Sequence, residues 1–206
     1  MKVLLFNGSP HEFGCTCTAL KEAADALEKE GIETEIIHVG NIERGCIGCG
    51  GCGKTGKCVF GDGDGLNDAL EKAESADGII LGSPVHFASA SGMITSFADR
   101  FFMASKSLAH KPGASVVSCR RGGASAAFDQ LNKYFTIRHM PVVSSQYWNM
   151  VHGSKAEDVF KDEEGMQTMR MLGKNMAWLL KCIDNGKKCG INPPEPEKKI
   201  STNYIR

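Results

Sequence analysis

The feature that most constrains the fold is a regular alternation of short strand-like runs and longer segments with helical periodicity. The strand-like runs, which are mostly apolar, cover residues 3–6, 35–39, 78–82, 114–118 and 141–145. Helical spacing covers 18–30, 66–76, 91–104, 125–138 and 163–185. Continuous apolar runs are typical of strands buried on both faces, and strands that alternate with helices form parallel sheets. The sequence therefore predicts an α/β fold with a doubly wound, five-stranded parallel sheet in three layers, αβα.

The same alternation predicts where a ligand binds and how the chain is divided. Right-handed crossovers place the carboxyl ends of all parallel strands at one edge, and ligands bind at that edge. A chain of 206 residues with 42% hydrophobic residues can bury one ordinary core. We expect one domain over 1–185, followed by a Lys-, Pro- and Glu-rich tail over 186–206.

Composition excludes several classes of partner. Lys plus Arg and Asp plus Glu both number 24, so the net charge is zero and no nucleic-acid or membrane-surface footprint is expected. The first residues lack a secretion signal, and no apolar run approaches the ~20 residues of a membrane span. We therefore expect a cytoplasmic protein. In that reducing compartment its nine cysteines point to metal binding or catalysis rather than to disulfides.

The first loop, residues 8–18, has the chemistry of a phosphate site. Its sequence is G-S-P-H-E-F-G-C-T-C-T, and it joins the first strand to the first helix. Hydroxyl groups and backbone amides at a helix N-terminus bind anions well. The loop lacks G-x-G-x-x-G and a P-loop lysine, which disfavours the usual dinucleotide and NTPase sites. An ordinary Ser/Thr capping turn is the alternative interpretation.

Three segments together resemble the NADPH-dependent FMN reductases of the flavodoxin superfamily. They are the G-S-P…G-x-T opening, S-P-V-H-F at 83–87 leading to F-A-D-R at 97–100, and R-G-G at 121–123. The resemblance covers about residues 1–185 and implies a flavodoxin-like sheet order 2-1-3-4-5, FMN as cofactor and NAD(P)H as a candidate co-substrate. It implies FMN contacts from Ser9, His11, Cys15, Thr16, Cys17 and Thr18 at the phosphate, from Pro84, Val85, His86, Phe87, Ala88 and Ser89 along the isoalloxazine, and from Arg120, Arg121, Gly122 and Gly123 at its pyrimidine side.

The sequence departs from that family at three of these positions. His11 stands where the family often has Arg, and Cys15 where it often has Asn, so phosphate binding would depend more on backbone amides. His86 replaces the more usual Tyr and would place a titratable group near the flavin, in a tuning role; a partly buried, hydrogen-bonded His is the alternative. No catalytic acid or base is expected, because FMN itself carries the hydride chemistry.

A compact cysteine motif lies in the loop over 45–60. Its ligand candidates are Cys46, Cys49, Cys52 and Cys58, in the pattern C-x2-C-x2-C-x5-C. This spacing lets three thiolates reach three irons of one cubane while a flexible Gly-rich arm brings the fourth, and it differs from the separated knuckles of zinc ribbons. It also resembles the motif of the iron-sulfur flavoproteins, a subgroup of the same branch, which implies a [4Fe-4S] cluster. Another metal, redox disulfides or reduced cysteines without metal remain alternatives.

Two other patterns in this region carry less weight. Residues 48–55 satisfy G-x4-G-K-T, but a P-loop must continue directly into a helix, and Gly56 follows here. Residues 62–65, D-G-D-G, lack the remaining ligands of a calcium loop. We expect no NTPase and a solvated turn, respectively.

The sequence thus predicts an FMN-dependent oxidoreductase, or electron-transfer flavoprotein, that passes electrons between FMN and a [4Fe-4S] cluster. A clusterless NAD(P)H-dependent FMN or quinone-type reductase is the alternative enzyme. A non-enzymatic electron carrier and a zinc-binding scaffold are alternatives from other classes. The expected partners are a small-molecule or protein electron donor or acceptor, and the resemblance implies a homodimer or homotetramer.

Overall fold

The computed structural model describes residues 1–204, so the last two residues of the predicted tail lie outside it. Five parallel strands form the sheet: β1 Lys2–Asn7, β2 Glu33–His38, β3 Gly78–His86, β5 Gly113–Cys119 and β6 Met150–His152. The short β4, Ser89–Ala90, pairs with β3 in an antiparallel hairpin. The strand order is β2-β1-β3-β5-β6. With β4 set aside, this is the predicted order 2-1-3-4-5, and the prediction is confirmed.

Within residues 1–204, seven helices accompany the sheet and complete the three layers. They are α1 Cys15–Lys29, α2 Gly51–Thr55, α3 Leu66–Ser75, α4 Gly92–Ala104, α5 Ala124–Thr136, α6 Ala156–Val159 and α7 Glu163–Lys188. The buried residues of α1 and α7 pack on one face of the sheet, and those of α3, α4 and α5 pack on the other. No helix within residues 1–204 has both the length and the apolar character needed to cross a membrane.

An aromatic cluster fixes α4 against the centre of the sheet. Phe97 and Phe101, four residues apart on one helix face, stack at 5.2 Å and lie 4.8 and 5.2 Å from the ring of Phe6 on β1. All three side chains are fully buried. These contacts fix the position of α4, and with it that of Arg100 on the same helix.

The third strand is longer than predicted. The predicted strand ends at Gly82, yet β3 continues to His86. The neighbouring β1 ends opposite Gly82, so no strand lies beside Pro84 on that side. Pro84, which has no N–H, therefore costs the sheet no hydrogen bond there. The extension carries Pro84, Val85 and His86 beyond the sheet edge.

The predicted fifth strand, residues 141–145, is wrong. Val142 forms only an isolated bridge with Gly113, and the strand that completes the sheet is β6. In the segment between Val142 and β6, the Ser145 hydroxyl bonds Tyr147 O at 2.6 Å and Asn149 Oδ1 at 2.7 Å. Such local side-chain bonds compete with strand pairing, so the chain leaves the edge before it returns.

Ser91 ties the start of α4 to the loop after β1. Its buried hydroxyl accepts from the Ile94 amide at 3.3 Å and donates to Gly8 O at 2.6 Å, and its own amide donates to Ser83 Oγ at 2.9 Å. Loss of a helix cap and a buried hydrogen bond costs about 1–2 kcal/mol. We expect Ser91→Ala to lower the free energy of unfolding by that amount in urea denaturation.

Ser75→Ala is the matched control for this prediction. Among the residues that the structure describes, the Ser75 hydroxyl bonds only Lys72 O, at the exposed end of α3, so we expect a change within about 0.5 kcal/mol. Equal effects of the two substitutions would contradict the assigned role of Ser91.

Candidate functional site

A cavity of about 790 Å³ lies at the carboxyl ends of the strands. It is lined by residues 9–16 after β1, 84–86 of β3, 118–120 at the end of β5 and 153–157 after β6. We call it the strand-end cavity. It lies at the edge where the sequence placed the ligand.

The first turn of α1 opens into this cavity with uncapped amides. Gly14 is the N-cap and supplies no side chain, and the first turn contains no acidic residue. The Thr18 amide already bonds Gly14 O at 3.1 Å, which leaves the amides of Cys15, Thr16 and Cys17 as the orphan donors of this helix end. Backbone amides in this arrangement bind a phosphate group. A Ser/Thr capping turn, the alternative interpretation, is not what the structure shows.

Eight of the predicted FMN contacts line the strand-end cavity. They are Ser9, His11, Cys15, Thr16, Pro84, Val85, His86 and Arg120. The other eight adjoin it without lining it: Cys17, Thr18, Phe87, Ala88, Ser89, Arg121, Gly122 and Gly123. Two of these have other partners, since the Thr18 hydroxyl donates to Gly14 O and the Ser89 hydroxyl to Gln130 Oε1. The FMN contacts of all sixteen residues stay predictions.

The β3–β4 hairpin stands at the rim of the cavity. Its two turn residues, Phe87 and Ala88, have φ angles of 51° and 58°, the left-handed conformation of tight hairpin turns. A Cβ on Gly123 would lie 2.7 Å from the Ala88 backbone, so only glycine fits there. Gln130 accepts from the Ser89 hydroxyl at 2.7 Å and the Ala90 amide at 3.0 Å. The hairpin is thereby fixed to α5 with the Phe87 ring fully exposed.

Part of the cavity wall was missed from the sequence. Segment 153–157 follows β6, whose position was mispredicted, so nothing in the sequence placed it at this edge. Ser118 also lines the cavity, and its hydroxyl lies 2.9 Å from that of Thr16. Burial raises the pKa of both the Cys15 and the Cys119 thiols. Both thiols therefore stay protonated near neutral pH.

All four cysteines of the compact motif line a second cavity of about 210 Å³. Its wall is otherwise mainly apolar and includes Ile47, Val59, Phe60 and Met103. We call it the cysteine cavity. Within residues 1–204 no three His, Cys, Asp or Glu side chains converge as ligands of one metal ion. The four cysteines of a cubane surround it and each binds a different iron, so four thiols around one cavity are a donor set that fits a four-iron cluster.

Cys58 is held at both its backbone and its sulfur. Asn67 Oδ1 accepts from the Cys58 amide at 2.9 Å, and Asn67 Nδ2 donates to the Cys58 carbonyl at 3.1 Å. Arg100 Nε donates to Cys58 Sγ at 3.3 Å. The sequence predicted a flexible arm for this fourth cysteine, and the structure instead fixes it against α3 and α4.

Arg100 is a buried cation whose charge is balanced by Asp64. It is 2% exposed, and its guanidinium bonds both Asp64 oxygens, at 2.5 and 3.2 Å, and the Arg44 carbonyl at 3.2 Å. Burial by itself would lower the pKa of Arg100, but the bonds to Asp64 and Cys58 outweigh it and raise that pKa. The prediction that 62–65 is merely a solvated turn is therefore wrong for Asp64.

The P-loop pattern has no P-loop geometry. Lys54 and Thr55 are the last residues of the five-residue α2, and Gly56 ends it at a φ of 72°. A P-loop places its Lys and Thr at the start of a long helix. The expectation that this stretch is not an NTPase site agrees with this geometry.

A three-layer αβα fold of this strand order, with the uncapped N-terminus of α1 at the strand-end cavity, defines a protein of the flavodoxin class. The sequence model of the NADPH-dependent FMN reductase family matches residues 1–155. The chain belongs to this family.

Comparison with known proteins narrows the relationship. The chain is 36% identical to an iron-sulfur flavoprotein of Methanocaldococcus jannaschii, over 89% of this chain and 99% of the relative. It is 30% identical to an iron-sulfur flavoprotein of Archaeoglobus fulgidus, over 90% and 98% of the two chains. Among solved structures, a flavodoxin from the domain Archaea superposes with a TM-score of 0.61 at 14% identity, over 88% of this chain and 99% of that one. The chain is thus a flavoprotein of the FMN oxidoreductase type.

Proposed function

We propose that this protein exchanges electrons between FMN in the strand-end cavity and a [4Fe-4S] cluster in the cysteine cavity. The observation that carries the proposal is that all four motif cysteines, spread over 46–58, line a single cavity. The names of the relatives as iron-sulfur flavoproteins support it.

The residues of the strand-end cavity fit FMN. The amides at the start of α1 and the Ser9 region would hold the phosphate, and Pro84, Val85 and His86 would form the wall beside the ring. Bound FMN supplies two-electron hydride chemistry as well as one-electron steps. The protein's own contribution is to orient the ring and to limit access of water. The protonated thiols of the half-buried Cys15 and the buried Cys119 add no competing nucleophile.

The residues of the cysteine cavity fit a cubane cluster. Four thiolates would each hold one iron, and the apolar wall of Ile47, Val59, Phe60 and Met103 would shield the cluster from water. A bound [4Fe-4S] cluster supplies one-electron exchange, which would connect a two-electron flavin to a one-electron partner. The same proposal includes NAD(P)H as co-substrate and a small-molecule or protein electron donor or acceptor as partner. It also includes a cytoplasmic location and assembly as a homodimer or homotetramer.

Anaerobic purification followed by an absorption spectrum, flavin assay and iron and sulfide assays tests the proposal. We expect stoichiometric FMN and about four irons per chain. FMN without iron, even after reconstitution, would leave the clusterless reductase. FMN with iron but no turnover with NADH or NADPH would favour the electron carrier, and the absence of FMN would refute the proposal.

A further inference from the structure

Arg100 stands out among the residues outside the motif because it is a fully buried cation in the wall of the cysteine cavity. A buried charge is costly unless it is paired and hydrogen-bonded. Asp64 is the paired anion, yet the guanidinium also donates its Nε–H to a thiol, Cys58 Sγ, at 3.3 Å. A thiol is a weak acceptor, whereas a thiolate or a cluster-bound sulfur is a strong one. The arrangement is therefore suited to a negatively charged sulfur at Cys58.

Three neighbouring contacts fix the direction of this Nε–H bond. The same guanidinium bonds Arg44 O, at the start of the cysteine loop, and both oxygens of Asp64, just after it. Asn67 holds the Cys58 backbone on the other side. Neither the cation nor the sulfur can swing away without breaking bonds that fix the loop.

We infer that Arg100 is a positioning residue that raises the reduction potential of a cluster held by Cys58, with Asp64 moderating its charge. This inference rests on the proposed function. The reduced cluster carries one more negative charge than the oxidised one, so a nearby cation and an N–H···S bond favour the reduced form. Asp64, as the counter-charge, has the opposite effect.

Two substitutions that break the same ion pair separate this role from simple structural support. Arg100→Gln removes the cation, and we expect the cluster's oxidised-to-reduced ratio at fixed potential to rise about tenfold, which is a lowering of about 59 mV for one electron. Asp64→Asn removes the anion and leaves Arg100 in place, and we expect a several-fold shift in the opposite direction. Potentials are measured by spectroelectrochemical titration of anaerobically purified protein, with iron content determined on the same samples.

Opposite signs are the diagnostic result. Loosening of the loop alone would move both potentials the same way, because water admitted to the cluster favours the more charged reduced form in either variant. Shifts of equal sign, or no shift, in iron-loaded variants overturn the inference. If Arg100→Gln fails to hold iron, an unchanged or lowered potential in Asp64→Asn still overturns the inference.

The failure of the inference is distinguishable from the failure of the proposed function. Wild-type protein that holds no iron after reconstitution refutes the cluster, and the role of Arg100 toward it falls as well. If the wild type holds iron but the reduction potential is unshifted in both variants, the role of Arg100 is overturned and the proposed function is left intact.

Discussion

Serine in place of any one of Cys46, Cys49, Cys52 or Cys58 is expected to remove most of the cluster iron while leaving bound FMN unchanged. Each cysteine would hold a separate iron, so no remaining thiolate can replace the lost one. Serine keeps the size of the side chain, and at position 58 its hydroxyl can still accept from Arg100. The cysteine cavity and the strand-end cavity are lined by different residues, so flavin binding is not expected to follow iron binding. Iron, sulfide and flavin are assayed per chain after anaerobic purification.

Cys189→Ser is the matched control. Cys189 is an exposed free cysteine at the end of α7 and does not line the cysteine cavity. We expect this variant to keep the full iron content. Iron retained at wild-type level in all four motif variants, or lost equally in the control, would contradict the assignment of ligands.

Gly40→Ala is expected to weaken FMN binding by at least about tenfold, or ~1.4 kcal/mol. Gly40 follows β2 and lies against the loop after β1: a Cβ there would be 1.8 Å from Ser9 O and 2.6 Å from His38 Nε2. That same His38 Nε2–H donates to the Ser9 carbonyl at 2.8 Å, so the added methyl group must displace the loop. Backbone cannot yield as a flexible side chain does, and overpacking of this kind costs about 1–3 kcal/mol. The displaced segment is the one that would hold the phosphate.

The dissociation constant of FMN, from flavin fluorescence quenching on the apoprotein, measures this effect, and circular dichroism verifies that the variant is folded. Gly92→Ala is the control, because a Cβ at this first residue of α4 meets nothing within 4 Å. We expect wild-type affinity there. A folded Gly40→Ala protein with wild-type affinity would show that the loop position does not limit FMN binding.

Much of the site could be located because the resemblance assigns it to loops that follow strands, and the carboxyl ends of parallel strands share one edge. The loop after β1, the Pro84–His86 stretch and Arg120 were all placed at the strand-end cavity, where the structure has them. Segment 153–157 was missed because local hydrogen bonds of Ser145 detach the chain from the sheet edge and delay the last strand. Hydrophobic patterning cannot reveal such a delay, since Val142 and Val143 are as strand-like as the residues of β6.

What the sequence by itself determined is therefore the layered αβα fold and the four-cysteine motif, because these depend on local periodicity and spacing. The strand order came from the resemblance. What only the tertiary structure decided is how these parts are held. The Arg100–Asp64 pair joins residues 36 positions apart, and Asn67 clamps Cys58 from the start of α3. Read locally, Asp64 belongs to a polar turn and Arg100 to a helix. Their partnership arises only because the aromatic cluster fixes α4 beneath the cysteine loop, where a buried cation must find its counter-charge.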